Sequence, residues 1–224
     1  MKAIVLLSGG LDSCVVLALA KEQSRDCHAL TFDYGQRHHI ELERAKALCE
    51  HYQVPQTIIH IDHTAFSKSS LVHDGKVPRN RTVLEDAKKS IPNTYVPARN
   101  TIFLAHAVGL AEQLDAGEIH VGINCMDAQP YPDCRPAYLQ AMQNTMNLCT
   151  KQACEDKGPR LVTPLLHKTK VEIIQAGLHL NAPLDITSSC YDPMPGGEAC
   201  GECLACRLRD QAFMEMQQLA STHP

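Results

Sequence analysis

Two groups of residues in this chain have types and spacings suited to chemistry. The first is Ser8-Gly9-Gly10-Leu11-Asp12-Ser13. Its glycines let backbone N–H groups approach an anion without an intervening Cβ, and its serines add hydroxyl donors. Asp12 is placed to cap a following helix or to hold a cation that neutralises phosphate. An ordinary strand-to-helix turn needs neither the serines nor the aspartate, so phosphate binding is the reading adopted. The second group is Cys190, Cys200, Cys203 and Cys206, spaced C-x9-C-x2-C-x2-C. Two overlapping C-x2-C steps fold backbone around one ion, and Cys190 closes the tetrahedron. Four thiolates suit a structural Zn2+ site. An iron–sulfur cluster is the alternative, and the tight spacing favours zinc.

Other polar residues stand at element ends. Arg99 and Asn100 precede an apolar helix expected over 101–114, where anion recognition is natural. Lys168 and Lys170 lie at the start of another helix, with Thr169 and Glu172 spaced as a capping box. Lysines in a first turn oppose the helix dipole, which a phosphate or carboxylate ligand would explain. Solvated lysines, and a surface salt bridge for Arg99, are the plain alternatives. The stretch 124–135 is denser in polar residues than a connector requires. Of its cysteines, Cys125 and Cys134 are candidates for a nucleophile or thiol donor, since both fall in this loop rather than on a core face.

The elements that must position these groups alternate strand and helix. Residues 3–7 form an apolar run that reads as a buried strand, and 14–20 as a buried helix. Further strands are expected at 27–33, 57–61, 118–123 and 161–165, with helices between them, including one over 136–151. This is an α/β pattern with a parallel sheet, whose ligands gather at the carboxyl ends of the strands. Residues 62–94 carry little periodicity and read as a mobile lid, or as a tolerated insertion. The expected division is 1–186 for the α/β domain and 187–224 for the four-cysteine segment and its helix.

Length and charge restrict the rest. A chain of 224 residues, 44% hydrophobic, can bury one α/β core. Its net charge of −4 lacks the basic footprint of a protein that wraps nucleic acid. No run approaches the roughly 20 apolar residues of a membrane span, and no secretory leader is visible, so a cytoplasmic location is expected. Eleven cysteines then read as thiols or metal ligands rather than disulfides.

The loop at residues 8–13 resembles the pyrophosphate-binding loop of the N-type ATP pyrophosphatases, which cleave ATP between its α- and β-phosphates. Four further stretches, 32–38, 95–100, 131–135 and the cysteines from Cys190 to Cys206, resemble the 7-cyano-7-deazaguanine synthase (QueC) family. The resemblance runs from residue 3 to about residue 210 and is loosest over 62–93. It implies a Rossmann-like, doubly wound parallel sheet of five strands in the order 3-2-1-4-5, of the adenine nucleotide alpha hydrolase type. It implies conversion of 7-carboxy-7-deazaguanine and ammonia to the nitrile at the expense of two ATP, with Mg2+ and structural Zn2+, in a homodimer. The nucleotide-binding stretch is then Ser8, Gly9, Gly10, Leu11, Asp12, Ser13, Cys14, Val15, Val16, Leu17 and Ala18. Candidate catalytic residues are Asp12, which would hold part of the Mg2+, with Ser13, Arg99, Lys168 and Lys170. Candidate substrate contacts are Tyr34, Gln36, His38, Arg99, Asn100, Tyr131, Asp133 and Arg135, with Asp133 reading the guanine-like N1–H and 2-amino group. Zinc is expected to scaffold, so that losing it unfolds the C-terminal segment. A sulfur-transferring relative of the same superfamily, an amide-forming ligase, and an inactive nucleotide-binding domain with a zinc-ribbon-like module are the competing readings.

Overall fold

The computed structural model describes residues 1–36, 40–62, 64, 69–72, 77, 91, 94–127 and 131–222. His38 and most of the lid expected over 62–94 lie outside them. The described elements are β1 (Lys2–Leu6), α1 (Leu11–Glu22), β2 (Asp26–Asp33), α2 (Ile40–Tyr52), β3 (Gln56–His60), α3 (Arg99–Gln113), β4 (Glu118–His120), α4 (Pro136–Met146), α5 (Lys151–Cys154), β5 (Arg160–Val162), α6 (Lys170–His179) and α7 (Leu204–Thr222). The strands make one parallel sheet in the order β3-β2-β1-β4-β5.

The apolar run at 3–7 becomes the central strand because both of its faces are covered. Ile4 and Leu6 point into a core shared with Leu104 and Ala107 of α3 and Met142 of α4. Val5 and Leu7 point the other way, against Leu17 of α1, Leu48 of α2 and Ile173 of α6. No helix among the described residues is long and apolar enough to cross a membrane.

Three elements end well before the sequence reading, each for a local reason. The helix expected over 136–151 stops at Met146. A new one starts where the Thr150 hydroxyl accepts the Ala153 N–H, 3.0 Å away. The strand expected over 161–165 ends at Val162. Pro164 has no N–H for the ladder, and the Leu166 N–H turns back to the Thr163 carbonyl. The strand expected to reach Ile123 ends at His120, because Gly122 swings against the first turn of α1. A Cβ on Gly122 would lie 3.3 Å from the Ser13 nitrogen.

At the start of β4, Glu118 is 2% exposed and accepts hydrogen bonds from Arg25 (2.7 Å), Arg160 (2.5 Å) and His120 (2.9 Å). Burial alone would raise its carboxyl, but these donors outweigh burial and hold it at about 2. Burial also keeps the neighbouring His120 imidazole below its usual range, so it serves as a neutral N–H donor. A carboxyl depressed on folding contributes stability that is present above its unfolded pKa and is lost as pH falls through its folded one. The Glu118→Gln variant is therefore expected to be about 2 kcal/mol less stable than the parent above pH 5. That difference should shrink steadily between about pH 4.5 and pH 2. Urea unfolding of both proteins across this range checks it, and a pH-independent gap would show that charge is not the cause.

Candidate active site

The strand order reverses between β1 and β4, so the chains leaving their carboxyl ends diverge and open a crevice. The loop 7–10 and the loop 121–127 meet there, and Ser8, Gly10, Leu11, Asp12 and Ser13 line the resulting cavity. The loop is held in shape by its own hydroxyls. The Ser13 hydroxyl accepts the Ser8 N–H (3.2 Å) and donates to the Gly10 carbonyl (2.9 Å), and the Ser8 hydroxyl accepts the Gly10 N–H (3.2 Å). Gly9 does not line the cavity. Its φ of +85° and its packing explain the glycine: any Cβ would collide with the Glu41 carbonyl and the Ala45 nitrogen of α2.

Asp12 departs from the sequence reading. It neither caps α1 nor stands open for a cation. The Lys170 ammonium contacts both of its oxygens, at 2.6 and 2.8 Å, and the Asn124 side-chain amide donates to it at 2.9 Å. Lys170 reaches this point because the Thr169–Glu172 capping box, present as expected, starts α6 at Lys170. Lys168, two residues earlier, is not on the cavity wall; its backbone carbonyl accepts the Cys125 thiol. Asp127 faces the cavity with Asn124, whose N–H it accepts at 3.2 Å. Burial first, and then the negative charge of Asp12, push the Asp127 carboxyl up to about 6.

Arg99 opens α3 and lines the other half of the cavity, together with Tyr34, Phe103, Tyr131 and Tyr191. Among the described residues no carboxylate pairs with it, and its closest polar partner is the Tyr34 hydroxyl at 3.5 Å. Burial opposes the charge of its guanidinium, but the phenol oxygens facing it favour that charge and prevail. A half-buried cation with no carboxylate partner among the described residues is suited to receive an anion. Gln36 is 2% exposed and holds the loop after β2, accepting the Tyr34 N–H and donating to the Phe32 carbonyl.

The sequence reading places Asp133 and Arg135 among the substrate contacts. Neither lines the cavity. The Asp133 carboxylate accepts the Asn100 N–H at 2.9 Å, and the Asn100 amide donates to the Asp133 carbonyl at 3.1 Å. Asp133 thus caps α3 from outside, where Ala98 supplies no side-chain cap and stands in the left-handed region. Arg135 is exposed and precedes α4. The nucleotide-binding stretch expected from the resemblance continues through Cys14 to Ala18. The side chains of Cys14 to Ala18 are buried in the core under the loop, because α1 turns that face to α6 and the sheet. Burial pushes the Cys134 thiol up to about 12, which leaves it a poor nucleophile.

The four cysteines converge as their spacing implies. The sulfurs of Cys190, Cys200, Cys203 and Cys206 all lie within 4.8 Å of one another. A single tetrahedral ion with metal–sulfur bonds of about 2.3 Å needs sulfurs about 3.8 Å apart, so the set fits one ion after a small contraction. A four-iron cube, with irons and sulfides at alternate corners, holds its thiolates farther apart. The thiols hydrogen-bond to one another, which favours the thiolate on Cys203 while raising Cys190 and Cys206.

Sequence reasoning missed the reach of this cluster. Ser189 and Tyr191 flank Cys190 and line the cavity, and so do Ala205, Leu208 and Arg209 around Cys206. Adjacency to predicted ligands was the available signal. Asn124 and Asp127 were also missed, although both sit in the polar loop singled out above.

The family described as "Queuosine biosynthesis protein QueC" matches residues 2–217. The chain is 48% identical over 216 residues to a protein of Desulfatibacillum aliphaticivorans named 7-cyano-7-deazaguanine synthase, covering 96% of this chain and 92% of that one. It is 47% identical over 216 residues to a protein of the same name from Geobacter metallireducens, covering 96% and 89%. Among solved structures, the U34-tRNA thiolase NcsA from Methanococcus maripaludis, described with its [4Fe-4S] cluster, shares the fold at 16% identity with a TM-score of 0.51. That match covers 100% of this chain and 68% of the thiolase. With a family match over nearly its whole length and relatives this similar, the chain belongs to the QueC family of queuosine biosynthesis proteins.

Proposed function

We propose that this protein converts 7-carboxy-7-deazaguanine and ammonia to 7-cyano-7-deazaguanine, consuming two ATP and releasing two AMP and two diphosphates. The observation that supports the reading is one cavity lined at one end by the 8–13 loop and at the other by Arg99, which pairs with no carboxylate among the described residues. The names of the relatives supply the substrate class.

The chemistry requires two activations. A carboxylate does not exchange its oxygen for ammonia at neutral pH, because oxide is a poor leaving group. Transfer of AMP to the carboxylate oxygen releases diphosphate, and attack by ammonia then expels AMP and leaves an amide. A second adenylation, on the amide oxygen, lets AMP depart as the C≡N bond forms and a proton is lost. The protein's share is positioning and charge stabilisation. The backbone N–H groups and serines of the 8–13 loop would hold the departing diphosphate at the N-terminus of α1. Lys170 is fixed beside it by Asp12. Arg99 would hold the substrate carboxylate or the α-phosphate, with Tyr34 and Tyr131 beside the deazaguanine ring.

Mg2+ would arrive with ATP and neutralise phosphate charge. Asp12 does not fit as its ligand, since Lys170 and Asn124 occupy its oxygens. Asp127 fits better: it faces the cavity, and a cation would relieve the cost of ionising it. For the cysteine site we propose Zn2+, on four thiolates that close around one ion.

Incubation with ATP, 7-carboxy-7-deazaguanine and ammonium, followed for AMP and for product mass, tests the reading. A nitrile with two AMP per product is expected; an amide, lighter in ATP demand by half, would sink it. Ser13→Ala should slow AMP formation about 100-fold, because it removes the hydroxyl that ties the Ser8 N–H to the Gly10 carbonyl and so loosens the loop. A rate within a few-fold of the parent would remove the loop from the chemistry.

A further inference from the structure

The segment that carries the first metal ligand is tied to the phosphate loop at two points. The Ser188 N–H donates to the Gly9 carbonyl at 3.1 Å. The Leu11 N–H donates to the Ser189 hydroxyl at 3.3 Å, across 178 residues of sequence. Leu11 is the first residue of α1, so its N–H has no acceptor within the helix and points to where an anion's oxygen belongs. Ser189 occupies that position now. Its own hydroxyl proton has no acceptor among the described residues, and the side chain lines the cavity. Cys190, next in the chain and 1% exposed, anchors the serine's backbone beside the four-thiol cluster.

We propose that Ser189 is a third serine of the diphosphate site, contributed by the metal-binding segment. When diphosphate enters, one of its oxygens accepts both the Leu11 N–H and the Ser189 O–H. The change is a small shift and a hydroxyl rotation, with no bond made or broken in the protein. The metal cluster thereby holds a phosphate-binding hydroxyl in register with the loop. A purely structural role does not account for Ser189, because the Leu11 N–H faces an open cavity where water serves as acceptor equally well.

This inference rests on the reading that ATP is cleaved between its α- and β-phosphates. The test is calorimetric titration of the metal-loaded full chain with inorganic diphosphate, for the parent, Ser189→Ala and Ser13→Ala. Loss of one hydrogen bond to a charged oxygen should weaken diphosphate about 10- to 100-fold in Ser189→Ala. Metal content per chain and affinity for 7-carboxy-7-deazaguanine should stay at parental values. If Ser13→Ala loses diphosphate and Ser189→Ala binds it like the parent, the role of Ser189 is refuted while the loop assignment stands. If Ser189→Ala loses metal, deazaguanine and diphosphate together, the serine is structural and the proposal fails. If the parent neither binds diphosphate nor forms AMP, the α,β-cleavage reading itself falls, and this inference with it.

Discussion

Replacing Arg99 with methionine is expected to cut kcat/KM for nitrile formation about 10^2- to 10^3-fold, while leaving the protein as stable as the parent or slightly more so. The two effects have one origin. Arg99 is held in a wall of tyrosines with no carboxylate partner among the described residues, and the nearest hydroxyl is at the limit of a hydrogen bond. Keeping an unpaired cation there costs desolvation energy in the free protein, which an apolar side chain of similar length avoids. The cost is recovered only when an anion arrives. Separate KM values for ATP and 7-carboxy-7-deazaguanine identify the anion, since the ligand that Arg99 holds will show the larger rise. Arg99→Lys should recover little, because a point charge does not reproduce the two-pronged guanidinium contact to a carboxylate or phosphate. A Met variant that loses more than about 2 kcal/mol of stability and keeps its activity would make Arg99 a structural residue.

The second large effect is expected for Cys203→Ser. Cys203 is 0% exposed and lies at the centre of the thiol cluster, taking hydrogen bonds from Cys190 and Cys206. A serine hydroxyl is a poor ligand for a soft site, so metal content should fall to a small fraction of one per chain. The expected fall in Tm is about 10 °C, corresponding to roughly 3 kcal/mol for a chain of this size. The sequence alone leads one to expect that this substitution unfolds the C-terminal segment. The structure predicts more. Ser189, Tyr191, Ala205, Leu208 and Arg209 belong to the cavity wall, and Arg209 also donates to the Thr187 hydroxyl at 2.8 Å and the Leu184 carbonyl at 2.9 Å. Loss of metal should therefore abolish nitrile formation even at temperatures where the sheet stays folded. Elemental analysis, far-UV melting and AMP assays on one preparation check this. Full activity in a metal-free, folded variant would confine the cluster to stability.

Much of the fold follows from local sequence. The apolar run at 3–7 can only be buried on both faces, Thr169 and Glu172 close a capping box that needs no distant partner, and the glycines at 9 and 10 mark a turn. The cysteine spacing likewise brings four sulfurs together through short-range chain geometry. These features depend on residues a few positions apart, and so they are legible along the chain. The order of strands was expected from a resemblance, since periodicity carries no information on which strand lies beside which.

The roles of single polar residues were decided by residues far away in sequence. Asp12 resembles a cation ligand until Lys170, 158 positions later, takes both of its oxygens. Asp133 reads as a base contact in the sequence, and in the fold one of its carboxylate oxygens accepts the Asn100 N–H. Lys168 and Lys170 look equivalent in the sequence, yet only the second lines the cavity. A polar side chain's function is set by which donors and acceptors remain unspent after folding, and those partners come from other strands and helices. Sequence by itself pointed to a glycine–serine loop suited to an anion and to four thiols gathered near residue 200, and the structure shows the thiols together. Only the tertiary structure decided that the two are one site. The parallel sheet brings the carboxyl ends of β1 and β4 together, and the Cys190 segment packs across that same edge onto Gly9 and Leu11.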